Sequence, residues 1–499
     1  MQSKHTFTLG ASNETPIVQL GKMSNRHGMI AGATGTGKTV TLQVLAEGFS
    51  QLGVPVFAAD IKGDLSGIAV PGKPHPKIDA RLAKMPLPDY QQQGFPVSFW
   101  DLYGENGLPV RTTISDMGPL LLANLLELND TQEGVLYAAF KIADEQGMLM
   151  LDLKDLRAML VWMGENAKSL SLDYGNISSA SIGAIQRRLL VLDEQGGDKF
   201  FGEPALELSD MMQVDYSRKG VINLLDATRL YAESPRLYSA FLLWILSELF
   251  EQLPEQGDAD VPKMVFFFDE AHLLFESASK PLLEKLEQVV RLIRSKGVGV
   301  YFISQSPMDI PEDVLGQLGL KIQHALRAFT PKDRKAIKTV AENFRENPAL
   351  DTASVLTELG IGEALVSVLN EKGTPTVVEH VLIAPPQSRI GPLTADERTQ
   401  RLSRSPLKAK YDQAIDRHSA YEVLKEKALQ QAQSEQKQKE EQQAQAPRSR
   451  QSRSRESASS SGMDIASSLA KSAARAMGSQ LGRQIIRGIM GSLFGGKKR

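Results

Sequence analysis

The chain has 499 residues, 42% hydrophobic and 23% charged, with a formal net charge of −2 and no cysteine. That length exceeds one ordinary core, so two globular units with appendages are expected. The missing thiols exclude disulfides, iron–sulfur clusters, thiol nucleophiles and any cysteine-ligated metal.

The near-neutral total hides an asymmetry. Residues 385–499 hold 22 Lys+Arg against 11 Asp+Glu, a net of +11, which leaves −13 on residues 1–384. Proteins that grip phosphate backbones usually show a basic face, so bulk charge gives nucleic-acid binding by the core no support. The opening MQSKHTFTLGASNETP has no apolar run, and AFLLWILSELF is too short to span a bilayer. A cytoplasmic protein is expected.

Along the chain, strand-length apolar runs occur at 28–32 (GMIAG), 54–60 (VPVFAAD), 220–226 (GVINLLD), 263–270 (KMVFFFDE) and 297–304 (GVGVYFIS). They are continuous rather than alternating, as parallel strands buried on both faces require. Helical periodicity separates several of them: Leu237, Phe241, Trp244 and Leu249 share one face of 234–250, and Leu282, Leu286, Val289 and Ile293 one face of 280–296. The expected fold is α/β, a doubly wound and largely parallel sheet. The core is read as 1–67 and 216–384, interrupted by a mostly helical insertion over 68–215. A Gln-, Arg- and Ser-rich linker over 385–462 and a basic amphipathic segment over 463–499 follow.

Between the first strand and a helix lies GATGTGKT: Gly32, Ala33, Thr34, Gly35, Thr36, Gly37, Lys38 and Thr39, with Val40 beginning the helix. This is the P-loop pattern, in which backbone amides and a helix N-terminus cradle phosphate. Lys38 is expected to neutralise the β- and γ-phosphates of ATP, and Thr39 to give its hydroxyl to Mg²⁺. In MVFFFDEAHLLFE the buried run ends in Asp269 and Glu270. The first suits the metal side through water, the second a general base for the attacking water. His272 carries no such indication; packing or a local hydrogen bond explains it equally well.

In the strand order of P-loop NTPases with such an Asp-Glu pair, the next strand, ending at Ser304-Gln305, lies between the P-loop strand and the acidic strand; Gln305 is then either a sensor aimed at the γ-phosphate or a turn residue before Pro307. Asp60, at the end of the second strand, faces either the same crevice or a turn. Transition-state charge in P-loop enzymes is often met by an arginine of a neighbouring subunit, for which Arg291, Arg294, Arg327 and Arg334 are candidates.

Together, NRHGMIAGATGTGKTVTLQVLAE, FFFDEAHLLFE, RLIRSKGVGVYFISQSPMDIPEDVLGQLGLKIQHAL and the helical insertion resemble the HerA/FtsK superfamily, nearest to bacterial helicase HerA-like proteins. The resemblance covers most of residues 20–384. It implies a RecA-like P-loop NTPase core with a helical insertion, ATP hydrolysis and commonly a hexameric ring with DNA through its centre. Lys38, Thr39, Asp269, Glu270 and Gln305 match the family's motifs, with Arg294 and Arg327 in similar stretches. HerA proteins carry a small β-barrel ahead of the ATPase, and the residues before Gly32 leave room only for a lead-in.

The charge of the core keeps a second function open: an ATP-dependent switch or remodeller acting on protein or at a membrane. In 463–499, Ile465, Leu469, Leu481, Ile485 and Ile489 oppose Lys471, Arg475, Arg483 and Arg487, a pattern that suits an anionic membrane or docking on the protein's own ring.

Overall fold

The computed structural model describes residues 5–445, apart from 86, 89, 258, 277–279, 328 and 329. Among the described residues twelve strands form one sheet: β1 (Thr6–Ser12), β2 (Thr15–Leu20), β3 (Gly28–Ala31), β4 (Val56–Asp60), β5 (Val97–Asp101), β6 (Leu108–Pro109), β7 (Ile222–Asp226), β8 (Met264–Phe268), β9 (Val298–Ser304), β10 (Leu320–Gln323), β11 (Glu363–Ser367) and β12 (Glu379–Ile383). Their order is β2-β1-β12-β11-β10-β3-β9-β8-β4-β7-β5-β6. From β10 to β6 every pairing is parallel, and from β2 to β10 every pairing is antiparallel.

The continuous apolar runs follow from burial on both faces. Along β8, Met264, Phe266 and Phe268 enter one hydrophobic cluster while Val265 and Phe267 enter the other. The same alternation divides β9, with Val298, Val300 and Phe302 on one side and Tyr301 and Ile303 on the other. The helix Lys38–Gln51 covers the second face through Leu42, Leu45 and Phe49, while Pro235–Gln252 and Lys280–Ile293 cover the first. Ser234 caps the former, its hydroxyl accepting from Leu237 N, with Pro235 in the first turn.

The insertion supplies helices Ile114–Leu125, Asp130–Glu145, Leu153–Glu165 and Ser179–Leu192, two of them opened by capping boxes at Asn129 and Asp152. It also contributes β5 and β6 to the sheet. Its Leu122, Leu136, Met159 and Ile185 are continuous with the sheet's first-face cluster, so it shares the core rather than standing apart.

The segment after residue 384 differs from a linker in its first part. Leu393, Leu407, Tyr411, Ala420 and Leu424 are buried in the two clusters, and one compact unit runs to Gln430. Arg398 pairs with Asp226 at 3.0 Å, and Tyr411 hydrogen-bonds Asp210 at 2.5 Å. The apolar residues here are sparse in a polar sequence, too thinly spaced to register as a core pattern. A second unit begins at Gln431, and its described part is the polar end of the helix Ala420–Gln445. The basic amphipathic pattern of 463–499 lies outside the described residues. Among the described residues no helix is long and apolar enough to cross a membrane.

Candidate nucleotide site

β3 ends at Ala31, and the chain turns through Gly32, Gly35 and Gly37 at φ of 151°, 78° and 119° before the helix begins at Lys38. L side chains rarely adopt that region, so the glycines are what allow the loop to curl. A Cβ on Gly32 would stand 2.5 Å from His324 Cβ, whereas one on Gly35 would meet nothing within 4 Å. Gly37 caps the helix without a side-chain hydrogen bond, leaving the N-terminal amides directed at the loop. Thr34 and Gly35 are exposed at the tip, and Thr36 closes the turn, its hydroxyl donating to Ala33 O at 2.7 Å.

Lys38 is buried, and its ammonium donates to Gly32 O at 2.6 Å and Ala33 O at 3.2 Å. Burial, then the positive Lys62 nearby, hold this amine below the usual lysine range, with Glu270 and Asp269 pulling the other way. All four charges therefore act on one crevice.

Sheet register brings the acidic pair to the P-loop. β9 lies between β3 and β8, with Ala31 opposite Ser304 and Phe268 opposite Phe302. Asp269 follows β8; its Oδ1 accepts from Glu270 N at 3.0 Å, and its carbonyl accepts from the Tyr238 hydroxyl at 3.0 Å. Burial, then the Glu270 charge, push the Asp269 carboxyl up to about 6. Glu270 has a φ of 49°, and its Oε2 is buried with no hydrogen-bond partner among the described residues. Its neighbour is His272, whose Nδ1 lies 3.5 Å away.

A half-buried carboxylate pair with one buried oxygen left over, beside a lysine turned onto its own loop, fits a divalent cation carried with polyphosphate. Thr39, at the second position of the helix, and Asp269 are the protein groups suited to hold it, with water and phosphate oxygens completing a magnesium shell.

Gln305 is exposed just beyond β9, between the P-loop strand and the acidic strand. Asp60 is a turn residue: its carboxylate accepts from Gly63 N at 2.7 Å, Asp64 N at 3.2 Å and Leu65 N at 3.0 Å. Arg291 and Arg294 sit at the other end of β9, seven residues of strand away, roughly 23 Å from their own crevice. Arg327 lies beyond β10 on the crevice side and lines an open groove of about 530 Å³ with Arg334, Ile337, Ser354 and Thr357.

His324 is a residue the motifs did not indicate. It is fully buried after β10, with Nε2 2.9 Å from Thr41 Oγ1 and Nδ1 2.8 Å from Glu363 O. Its backbone amide also donates to Ala31 O at 2.7 Å. Burial lowers its pKa to about 4, so a neutral ring props the P-loop against the first helix and β11. A single histidine in LKIQHAL carries no periodic signal; only the β3–β10 pairing exposes its role.

The family model for the helicase HerA-like C-terminal region matches residues 7–499. The chain belongs to the HerA-like family of P-loop ATPases. It is 26% identical over 353 residues to the DNA double-strand break repair helicase HerA of Saccharolobus solfataricus, covering 68% of this chain and 61% of that one. The HerA helicase of Sulfolobus acidocaldarius is 22% identical over 376 residues, 74% of this chain and 67% of that one. The chain thus spans 61% of the length of the first of these relatives. Among solved structures, VirB4 of Thermoanaerobacter pseudethanolicus aligns with a TM-score of 0.49 at 18% identity, covering 80% of this chain and 99% of that one. The plasmid coupling protein TrwB in complex with ADP and Mg²⁺ aligns with a TM-score of 0.46 at 15% identity, covering 77% and 93%. In this HerA-like chain the crevice is bordered by the loop Gly32–Thr39, the turn at 60–64, the Asp269–Glu270 pair and Gln305.

Proposed function

We propose that this HerA-like chain binds ATP with Mg²⁺ in the crevice between β3 and β8, hydrolyses it, and uses the cycle to drive a homo-oligomeric motor on DNA. One observation carries the hydrolytic reading: the buried Lys38 and the unsatisfied Glu270 carboxylate act on the same crevice, one suited to phosphate and the other to a water proton. In the reaction the water oxygen bonds to the γ-phosphorus as the bond to the β–γ bridging oxygen breaks. ADP and inorganic phosphate leave. Glu270 Oε2 takes the water proton, and Lys38 exchanges Gly32 O and Ala33 O for phosphate oxygens. Mg²⁺ would neutralise phosphate charge there, held on the protein side by Thr39 and Asp269. Gln305 hydrogen-bonds the γ-phosphate or the attacking water, so its contacts change when phosphate departs.

A hexameric ring is the assembly this reading favours, with an arginine of one subunit meeting the nucleotide of the next. Arg327 suits that role better than Arg294, being on the crevice side of the sheet. DNA is favoured by family membership and by the groove beside β10. There Arg327 and Arg334 have no ion-pair partner among the described residues, a basic exception on an acidic core. The −13 on residues 1–384 supports the second reading, a cytoplasmic switch or remodeller working on protein or at a membrane through 463–499.

ATP hydrolysis measured with and without single- and double-stranded DNA, alongside mass determination, separates the two. A ring stimulated by DNA is expected. A monomer that DNA neither binds nor stimulates would end the motor reading, and liposome co-sedimentation with and without 463–499 would then test the membrane.

A further inference from the structure

The turn after β4 belongs to no P-loop motif, yet it borders the crevice. β4 pairs in parallel with β8, and Ala58 opposite Phe267 brings Asp60 level with Asp269. The Asp60 carboxylate accepts three amides, from Gly63, Asp64 and Leu65, which folds the chain tightly over it. Gly63, at φ 73°, makes the turn possible. Asp60 itself is buried and fully used as the scaffold. Lys62 sits on the crest, exposed, with no ion pair or hydrogen bond to its ammonium among the described residues.

We propose that Lys62 is a second phosphate-contacting cation of the nucleotide site, supplied in cis from the strand beyond the acidic pair and directed at the γ-phosphate. The proposal rests on reading the crevice as an ATP site and adds a residue to it.

Two further facts agree with this placement. The Lys62 charge acts on both Lys38 and Asp269. Two lysines brought together without an anion repel; a triphosphate between them turns that repulsion into attraction. The charge balance agrees as well. A bound triphosphate carries more negative charge than one lysine and one divalent cation cancel, and Asp269 and Glu270 add to the excess. With the order β3-β9-β8-β4, a lysine after β4 would meet a bound triphosphate from the flank opposite the P-loop. The rigid turn fixes the backbone of Lys62 while its four-carbon stem stays free to swing, which suits a contact made only when the terminal phosphate is present.

The test is isothermal titration of the full chain with Mg²⁺ and either ADP or the β,γ-imido analogue of ATP. It compares the natural protein with Lys62→Met, Lys62→Arg and Lys38→Ala. Lys62 is exposed, so its variants should fold, and a melting curve checks this. Lys62→Met is expected to weaken the triphosphate about tenfold or more, the usual worth of a charged hydrogen bond, and ADP by less than about threefold. Lys62→Arg should restore most of the difference. Equal affinities for the triphosphate in Lys62→Met and the natural protein would overturn the proposal, as would equal losses for ADP and triphosphate. Lys38→Ala should weaken both nucleotides. If it changes neither, the nucleotide reading of the crevice is wrong, and the role of Lys62 falls with it.

Discussion

His272 Nδ1 stands 3.5 Å from Glu270 Oε2, an oxygen that is buried and accepts no hydrogen bond among the described residues. The carboxylate is thus held beside a ring nitrogen but not consumed by it, as a base awaiting a water should be. Glu270→Gln is expected to reduce hydrolysis by about 10² to 10⁴ while ATP binding persists. His272→Ala should give a smaller loss, in turnover rather than in KM, because it loosens the carboxylate without removing it. Steady-state kinetics check both, and unchanged turnover in Glu270→Gln would remove the base assignment.

The P-loop glycines should respond unequally to alanine. At Gly32 a Cβ would meet His324 Cβ at 2.5 Å, so Gly32→Ala must displace a packed histidine as well as strain φ. We expect a cost of about 1–3 kcal/mol or more in stability together with loss of nucleotide binding. Gly35→Ala meets nothing within 4 Å and carries only the cost of its φ of 78°, on the order of 1 kcal/mol. Denaturant melts and nucleotide titrations of the two variants test the ranking.

Glu47 sets a pH dependence away from the crevice. It is buried in the P-loop helix and accepts from Gln387 N at 2.7 Å, Ser388 N at 3.0 Å and the Ser388 hydroxyl. Burial outweighs those bonds and raises its pKa from 4.5 to about 7. Between those values the folded chain holds a proton that the unfolded chain has lost, so stability falls as pH rises through that window and levels off above it. The span is on the order of 3 kcal/mol. Glu47→Gln should flatten this part of the curve, measured as unfolding free energy from pH 4.5 to 8. An unchanged slope would show that Glu47 is not its source.

The boundary near Gln430 predicts two different truncations. A chain ending at Gln430 should melt within about 2 °C of the full chain, because every buried residue of the first unit is retained. Ending it at Ala384 removes Leu407, Tyr411 and Leu424 from the core and should leave an insoluble or molten product. Tyr411→Ala gives a graded version, with an expected cost of about 3–5 kcal/mol. Thermal melts decide.

The strands that the sequence made legible are those buried on both faces: β3, β4, β7, β8 and β9 are nearly pure apolar runs. β5, β10 and β12 carry no such signal, because Ser98, Lys321, Gln323 and His380 break the pattern in strands of only four or five residues. The P-loop and the Asp269–Glu270 pair were legible for a different reason. Their chemistry needs particular residue types at fixed spacing along the chain, and spacing survives in a sequence.

The sequence by itself determined the parallel core, the phosphate loop, the acidic pair and the family. Only the tertiary structure decided that Asp60 is a turn scaffold, that His324 braces the loop, that Lys62 borders the crevice and that residues 385–430 belong to the core. Each of those depends on contacts between segments far apart in the chain. Parallel pairing places β4 beside β8 and β10 beside β3, and no local pattern encodes which strand a residue will lie next to.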